Sequence, residues 1–408
     1  MPAPSAEAVA IAIADRFANP RIVVGGNHGT PSSMLDAIDE AVPEYRLWVL
    51  NAQPGVPDRA GVVLETCFVG PGMRHSPRLR YVPSRLSLVP VLLRSTLVPD
   101  VVVVQTSLAH EGSLSLGIEV NVLPAAIEQC RSRGGVVVAQ SNSFMPYIYG
   151  DGELPLETFD YVVQVDQPLP EVATMDVDET SHAIGTRVAA LVADGSTVQL
   201  GIGAVPDAAL SGMTTRRGLK IWSEMFSDGV LALDQQGALD VAEPLVASFV
   251  FGSAALYDWV DRNERVRLLR TETTNNPANI AARPQMVSVN SALQVDLFGQ
   301  ANASRINERI YSGFGGQTDF IVGALHSSGG RAVIAMKSWH PKADCSTIVP
   351  LIDEPVTSFQ HSAVVTENGT ADIWGYSQQE QAAHLIEQAA HPAVREELWE
   401  EAAELGLA

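Results

Sequence analysis

Short, nearly continuous runs of valine and isoleucine recur along the 408-residue chain, and they restrict its fold more than any other feature. A strand with one face in water alternates apolar and polar residues, whereas a strand covered on both faces is apolar throughout. The runs therefore predict buried, mainly parallel strands. They are Arg21–Gly25, Pro99–Ser107, Gly135–Asn142, Asp160–Asp166, Ser196–Gly201, Met286–Asn290 and Arg331–Met336.

Helical patterns lie between these runs, for example at Pro124–Arg133 and Pro206–Met213. Each opens with a proline, a residue that suits the first turn of a helix. Strands that alternate with helices predict an α/β protein with mainly parallel sheets. The C-terminal stretch Ser377–Leu407 is also helical in pattern and is interrupted by Pro392.

One pattern occurs twice. Ala6–Ala37 and Ser181–Leu210 both show a helix, a polar turn, a strand, a glycine turn, a proline and a second helix. Either two common α/β units match by chance, or a domain is duplicated. Between them, Asp166–Thr180 contains two prolines and several acids, which is typical of a linker. We therefore expect two domains, at residues 1–170 and 181–408.

Composition excludes several classes of function. The 26 basic and 47 acidic residues give a net charge of −21, which disfavours nucleic acid and anionic membranes as partners. No apolar stretch approaches the roughly 20 residues of a membrane helix, and the N-terminal segment is typical of an amphipathic helix, not of a signal peptide. The three cysteines are far apart and the histidines form no ligand motif, so we expect a reduced, cytoplasmic protein without a metal.

Two segments of the second half could carry chemistry. In Gly201–Pro206, glycines follow a strand and precede a helix, a pattern of anion-binding loops and equally of plain turns. In Leu219–Gly229, Glu224 follows a short apolar strand, at the strand end where ligands bind in α/β sheets. Such a carboxylate is a candidate nucleophile, although it could also cap the next helix or pair with a cation.

Three further segments are dense in asparagine, glutamine and glycine beside apolar strands. Amides and glycines at strand ends suit a polar ligand held by neutral hydrogen bonds, and clustered glycines could form an oxyanion hole. The alternative is a set of tight loops with Asx turns. The segments are Thr274–Ala282, Asn290–Ala303 and Ser312–Ala324, with glycines at Gly313, Gly315 and Gly316.

Taken in order, these segments resemble the acetyl-CoA hydrolase/transferase family, which includes 4-hydroxybutyrate and butyrate:acetate CoA-transferases. The resemblance covers most of Ser181–Leu398 and is looser in the first half, at Thr106–Gly117 and Ser141–Pro146. Its motifs are GIGAVPDA at Gly201, SEMFSDGV at Ser223, NPANIAARPQMVSVNSALQVDLFGQANAS at Asn276, GFGGQTDFIVGA at Gly313, VTENGTADIWG at Val365 and AHPAVREEL at Ala390.

The resemblance implies two open α/β domains of related fold with the active site between them. It implies that Glu224 attacks an acyl-CoA thioester and then carries CoA as a glutamyl thioester, with Asn275 and Gly316 near the reacting carbonyl. Coenzyme A is then a substrate, a carboxylic acid the second partner, and no tightly bound cofactor is expected. A homo-oligomer is a further expectation. The implied CoA contacts are Gly201, Ile202, Gly203, Ala204, Val205, Asn290, Gly315 and Lys342, and Glu367 is another candidate residue.

Several positions depart from the family pattern, and together they predict less positive charge around the CoA and acid sites. Trp222 replaces a histidine and Val322 replaces an arginine that is common in the family. The segment at Ser327-Ser328 lacks a lysine, Asn368 replaces an aromatic residue and Trp374 an arginine.

The sequence leaves three functions open. The first is transfer of CoA between carboxylic acids, and the second is hydrolysis of acyl-CoA through the same glutamate. The third is a non-catalytic ligand-binding or partner subunit, which the combination of Glu224 with the glycine and amide segments disfavours. Fold analogy would also permit a sugar-phosphate isomerase, but the sequence shows no basic cluster for phosphate.

Overall fold

The chain forms two compact units in the computed structural model, which describes residues 4–172, 177–358 and 360–408. Residues 173–176, part of the predicted linker, lie outside the described residues. The first unit comprises Met1–Val172 and Leu245–Thr274, and the second comprises Ala173–Pro244 and Asn275–Ala408. The division predicted from the sequence, 1–170 and 181–408, differs from these units in the segment Leu245–Thr274.

The strands of the described residues are numbered in chain order. They are β1 (Arg21–Val24), β2 (Tyr45–Trp48), β3 (Val62–Thr66), β4 (Leu79–Tyr81), β5 (Val101–Thr106), β6 (Ser113–Ser115), β7 (Val136–Asn142), β8 (Glu153–Pro155), β9 (Tyr161–Val165), β10 (Thr197–Leu200), β11 (Lys220–Ile221), β12 (Met225–Phe226), β13 (Leu245–Ala247), β14 (Phe249–Val250), β15 (Val266–Leu268), β16 (Met286–Asn290), β17 (Gln294–Asp296), β18 (Ala301–Asn302), β19 (Arg305–Ile306), β20 (Arg309–Ile310), β21 (Arg331–Ala335), β22 (Trp339–His340), β23 (Cys345–Ser346), β24 (Ile348–Val349), β25 (Ala363–Thr366) and β26 (Gly369–Asp372).

The α-helices follow the same convention, and short 3₁₀ and π turns are left unnumbered. They are α1 (Ala6–Arg16), α2 (Ser32–Ala41), α3 (Val89–Ser95), α4 (Leu123–Ser132), α5 (Glu179–Ala190), α6 (Ala204–Gly212), α7 (Asp228–Gln235), α8 (Ala254–Val260), α9 (Thr271–Thr274), α10 (Pro277–Ala281), α11 (Gln317–His326), α12 (Gln378–His384) and α13 (Arg395–Glu404).

A seven-stranded sheet forms the centre of the first unit, in the order β4-β3-β2-β1-β5-β7-β9. All of its strand pairs are parallel. Every residue of β5 and β7 is buried, as expected for strands covered on both faces.

A six-stranded sheet forms the centre of the second unit, in the order β11-β10-β16-β21-β25-β26. Its first five strands are parallel, and β26 returns antiparallel to β25 at the border. The loops that follow β10, β11, β16, β21 and β25 therefore all leave from one edge of the sheet. We call this the carboxyl edge of the second sheet; it is where ligands bind in open α/β sheets.

The predicted α/β class with mainly parallel sheets is confirmed. Each valine- and isoleucine-rich run forms a strand within a residue or two of its predicted ends, and the repeated pattern is present as α1–β1–α2 and α5–β10–α6. Among the described residues, none of the helices combines the length and apolar character needed to cross a bilayer.

Candidate active site

Glu224 lies between β11 and β12, at the carboxyl edge of the second sheet. The residue keeps some accessible surface, but its carboxyl group is surrounded by protein atoms. The side-chain amide Nδ2 of Asn275, a fully buried residue, donates a hydrogen bond to Glu224 Oε2 at 2.8 Å. The carboxylate is thus held in one orientation by a rigid neighbour.

The backbone of Gly316 lies directly beside the same carboxylate. A Cβ atom at this position would lie 1.7 Å from Glu224 Oε2 and 2.2 Å from Asn275 Nδ2, so only glycine fits here. Gly316 is the N-cap of α11 and carries no side-chain cap of its own. The partial positive charge of a helix N-terminus favours an anion at this place. Glu224, Asn275 and Gly316, three residues far apart in the sequence, therefore meet at one point.

Burial is the main influence on the ionisation of Glu224. Desolvation raises its pKa from 4.5 to about 7, and the negative charge of Asp319 acts in the same direction. The Asn275 hydrogen bond opposes both effects because it stabilises the charged form. The carboxylate is therefore partly ionised near neutral pH and poorly solvated, a state in which a carboxylate can serve as a nucleophile.

Asp319 was not singled out from the sequence, although it lies in the GGQTDF motif. It is buried in the first turn of α11, three residues after Gly316. That spacing places it on the same side of the helix as Gly316, a signal that the sequence did contain.

The loop Gly201–Gly203 leaves β10 at the same edge and leads into α6. An added Cβ at Gly201 or at Gly203 would meet no atom within 4 Å, so the backbone of this loop borders open space. Ile202 is 44% exposed, while Ala204 and Val205 in the first turn of α6 are partly exposed. The loop is therefore accessible to a ligand.

The other predicted CoA contacts differ in their surroundings. Asn290 ends β16, and its amide donates to Ser288 Oγ at 2.9 Å and to Gln199 Oε1 at 3.3 Å. Gly315 has a φ of +55° in the turn before α11. Lys342 is exposed in the turn of the β22–β23 hairpin. Asn290, at the end of β16, and the turns with Gly315 and Lys342 all lie at the carboxyl edge, but only the turn with Gly315 adjoins the Glu224 cluster directly.

Glu367 lies in the turn between β25 and β26, and its carboxylate contacts Ser338. Glu367 Oε1 accepts from Ser338 Oγ at 2.5 Å, and Oε2 accepts from the Ser338 backbone N–H at 3.0 Å. The structure thus gives this candidate a partner within the protein, at the same edge of the sheet as Glu224.

Three of the departures from the family pattern, at Trp222, Trp374 and Ser327, differ in their distance from Glu224. Trp222 is nearly buried two residues before Glu224, and the guanidinium of Arg283 lies over its ring, 4.0 Å from the centroid. This cation–π contact places a positive charge beside Trp222, the position at which the family has a histidine. The spacing of the two residues in the sequence could not show this contact. Trp374 and Ser327, in contrast, lie at the opposite edge of the sheet, after β26 and next to the start of β16. Their replacements therefore do not alter the charge around Glu224.

The two loosely matching segments of the first half meet within the first unit. Ser107 and Leu108 from the first segment, and Ser143 to Pro146 from the second, line a cavity of about 300 Å³. Both segments follow buried strands, β5 and β7, at the carboxyl ends of the first sheet.

An α/β fold with parallel sheets and a buried, hydrogen-bonded carboxylate at a strand end defines a class of proteins that could use a glutamate as nucleophile. The models of the acetyl-CoA hydrolase/transferase N-terminal domain and C-terminal domain match residues 62–173 and 252–402, which is more than half of the chain. The chain therefore belongs to the acetyl-CoA hydrolase/transferase family, as the sequence motifs predicted, and so to a family of enzymes.

Individual relatives agree with this assignment. The chain is 37% identical over 349 residues to the 4-hydroxybutyrate coenzyme A transferase of Clostridium kluyveri. This alignment covers 82% of this chain and 80% of the relative. A solved 4-hydroxybutyrate CoA-transferase from Porphyromonas gingivalis superposes with a TM-score of 0.84 at 30% identity, over 99% of this chain and 97% of the other. RipA from Yersinia pestis superposes with a TM-score of 0.93 at 26% identity, over 99% and 98%.

Proposed function

We propose that the chain transfers coenzyme A between an acyl-CoA and a carboxylic acid, through a thioester on the side chain of Glu224. The observation that carries the proposal is the cluster of Glu224, Asn275 and Gly316, in which a desolvated carboxylate faces a fixed amide donor. Family membership and the CoA-transferase relatives support the substrate class.

The first half-reaction has two steps. The Glu224 carboxylate attacks the thioester carbonyl, forms an acyl-glutamyl anhydride and expels CoA as its thiolate. The thiolate then attacks the glutamyl carbonyl, forms a carbon–sulfur bond and releases the acyl group as a carboxylate. Enzyme glutamyl-CoA thioester and a free acid are the products.

The second half-reaction runs the same steps backwards with another acid. The acceptor carboxylate attacks the glutamyl thioester and expels CoA thiolate, which then attacks the acceptor carbonyl of the new anhydride. The products are a new acyl-CoA and the regenerated Glu224 carboxylate. Over the complete cycle no electrons are exchanged and no proton is consumed.

Asn275 has a defined role in this scheme. Its Nδ2 already points at Glu224 Oε2, the oxygen that becomes an oxyanion when a thiolate or carboxylate adds to the glutamyl carbonyl. A fixed donor aimed at such an oxygen is worth about 2.7–4 kcal/mol of transition-state stabilisation. The open loop Gly201–Gly203 and the exposed Lys342 are the proposed contacts for the remainder of CoA.

The test is Glu224→Gln, with Glu397→Gln on the exposed surface of α13 as the matched control. We expect Glu224→Gln to lose at least about a thousandfold in turnover, because removing a nucleophile removes the covalent route, while the control keeps full activity. Intact-protein mass spectrometry of the wild type mixed with acyl-CoA should show CoA attached, and borohydride should then mark Glu224. Wild-type turnover in Glu224→Gln would refute the proposal.

Water in place of the acceptor acid would make the same intermediate serve hydrolysis. Formation of the new acyl-CoA and release of free CoA are therefore both measured, with and without an added carboxylic acid. We expect the acid to give the new acyl-CoA with little free CoA, whereas free CoA released without any new acyl-CoA would assign the hydrolase function instead. A homo-oligomer stays a prediction from the resemblance, and a cytoplasmic location stays a prediction from the cysteine content.

A further inference from the structure

Glu367 anchors the base of a hairpin. Its carboxylate accepts hydrogen bonds from both the side chain and the backbone N–H of Ser338, a fully buried residue. The next residue, Asn368, donates from Nδ2 to Ser338 Oγ at 2.9 Å. Two consecutive residues of the β25–β26 turn thus hold Ser338. Hydrogen bonds to a charged acceptor are roughly twice as strong as neutral ones.

Ser338 is placed where both arms of the hairpin begin. Its carbonyl oxygen accepts from the backbone N–H of Thr347 at 3.1 Å, and Thr347 Oγ1 donates to the carbonyl of Lys337 at 2.6 Å. Beyond this base, β22 pairs with β23 in an antiparallel ladder. A movement of Ser338 would therefore displace the whole segment 338–347.

The turn of the hairpin carries one exposed lysine, Lys342. The exposed Asp344 in the same turn accepts a hydrogen bond from Trp339 Nε1 at 3.0 Å, and Lys337, just before the hairpin, is paired with Asp178. The hairpin follows β21 and Glu367 follows β25, two neighbouring parallel strands of the sheet that also carries Glu224. In a protein with a net charge of −21, an exposed lysine at this edge is a local attraction for an anionic ligand.

We propose that Glu367 is a positioning residue that acts through Ser338 on the hairpin 338–347, and so sets the affinity for the phosphate-bearing end of CoA. It takes no part in acyl transfer. The inference rests on the proposed function, because that function supplies CoA as the ligand. It differs from a role of Glu367 at the reacting carbonyl, since both carboxylate oxygens already accept hydrogen bonds from Ser338.

The kinetic test compares two substrates in Glu367→Gln, an acyl-CoA and the corresponding acyl-pantetheine, which lacks the nucleotide and its phosphates. We expect KM for acyl-CoA to rise about tenfold, which corresponds to about 1.4 kcal/mol, with kcat within about twofold of wild type. Acyl-pantetheine should be used equally well by both proteins. Equal losses with both substrates would place Glu367 at the reacting centre and overturn the inference.

A double-mutant comparison tests the route through the hairpin. Lys342→Gln should raise KM for acyl-CoA by itself, and adding Glu367→Gln to it should have little further effect, because both changes remove the same contact. Fully additive effects would contradict the inference. Glu387→Gln, an exposed glutamate outside this segment, is the matched control and should match wild type.

A second measurement does not depend on activity. Amide hydrogen exchange of the segment 338–347 should be faster in Glu367→Gln and in the milder Ser338→Ala, with unchanged exchange in β10 and β16. Unchanged exchange in 338–347 would also overturn the inference. Failure of the proposed function is separate, since it appears as undiminished turnover in Glu224→Gln, whatever the hairpin does.

Discussion

Two opposing effects decide the reactivity of Glu224. Desolvation makes the charged form costly and raises the pKa to about 7, while the Asn275 amide stabilises that form. A carboxylate in water is a weak nucleophile because its charge is solvated. Here the surrounding protein replaces that solvent with one directed donor, so the anion that does form is held in one orientation and poorly stabilised in its ground state.

The first prediction concerns the pH dependence of the rate. In the proposed mechanism only the ionised Glu224 attacks the thioester, and the pKa of Glu224 is raised to about 7. We therefore expect kcat/KM to fall about tenfold for each pH unit below about 7 and to level off above it. Initial rates measured between about pH 5.5 and 8.5 test this dependence of kcat/KM on pH. A flat profile across that range would contradict the role of Glu224 as the attacking group.

The second prediction concerns stability. The pKa of Glu224 is about 7 in the folded state against 4.5 without burial, so between these values the folded protein binds more protons than the unfolded chain. Stability therefore falls as the pH rises through this window. Glu224→Gln removes the ionisable group and should be more stable than wild type at about pH 8, by up to about 3 kcal/mol. Denaturant unfolding at both ends of the window tests this, because the difference should shrink toward about pH 5.

The third prediction concerns Gly316. In Gly316→Ala the new Cβ would lie 1.7 Å from Glu224 Oε2, so the carboxylate must move away from its present place. A displacement of about 1 Å can cost about a hundredfold in rate, and we expect kcat to fall by at least that factor. Circular dichroism and thermal unfolding show whether the fold is retained. A folded variant with wild-type kcat would show that the observed contact is not needed for catalysis.

At the scale of elements, the sequence predicted the strands with the longer valine and isoleucine runs. It missed shorter apolar strands, such as the fully buried β25 (AVVT), and strands of mixed composition. Strands β5 and β7 are central and fully buried, so their valine runs are unmistakable. Strands β2 and β4, written YRLW and LRY, mix charged and aromatic residues and were missed. Strand β4 lies at the border of its sheet, where a solvent-exposed side tolerates polar residues.

Contacts between distant segments were beyond the reach of local patterns. Leu245–Thr274 belongs to the first unit because backbone hydrogen bonds connect it to residues 120 and 121. The backbone N–H groups of Val120 and Asn121 donate to the carbonyl of Ser248, and the backbone N–H of Thr271 donates to the carbonyl of Asn121. The contact between Arg283 and Trp222 is of the same kind. Glu224, Asn275 and Gly316 could be named together only because the motifs resemble a family, since nothing in their spacing brings them together.

The fourth prediction separates two glycines of one loop. Gly203 has φ +117° and ψ 174°, a conformation that is essentially restricted to glycine, whereas Gly201 has no positive φ. An added Cβ would meet no atom within 4 Å at either glycine, so alanine causes no steric overlap at either position. The two substitutions therefore differ only in backbone strain. We expect Gly203→Ala to lose about 1–3 kcal/mol of unfolding free energy and Gly201→Ala much less. Equal losses in denaturant unfolding would contradict a strained turn at the start of α6.

At the scale of the whole molecule, the strongest feature is the imbalance of charge. With 26 basic and 47 acidic residues, the protein repels an anionic substrate at long range. The local features that favour an anion are short in range: the open backbone of Gly201–Gly203, the N-terminus of α11 and the exposed Lys342. The proposed binding of CoA would thus combine a long-range repulsion with a few close attractions, and salt acts differently on the two.

The last prediction uses this difference. The Debye length falls from about 30 Å at 10 mM ionic strength to about 8 Å at 150 mM, which removes most of the long-range repulsion and leaves close contacts less affected. We therefore expect kcat/KM for an acyl-CoA to rise severalfold over this range. The corresponding acyl-pantetheine, which lacks phosphates, should show no change and serves as the control. A steady fall with salt for acyl-CoA would mean that the local cations dominate even at a distance, and that the net charge of −21 has no influence on encounter with the substrate.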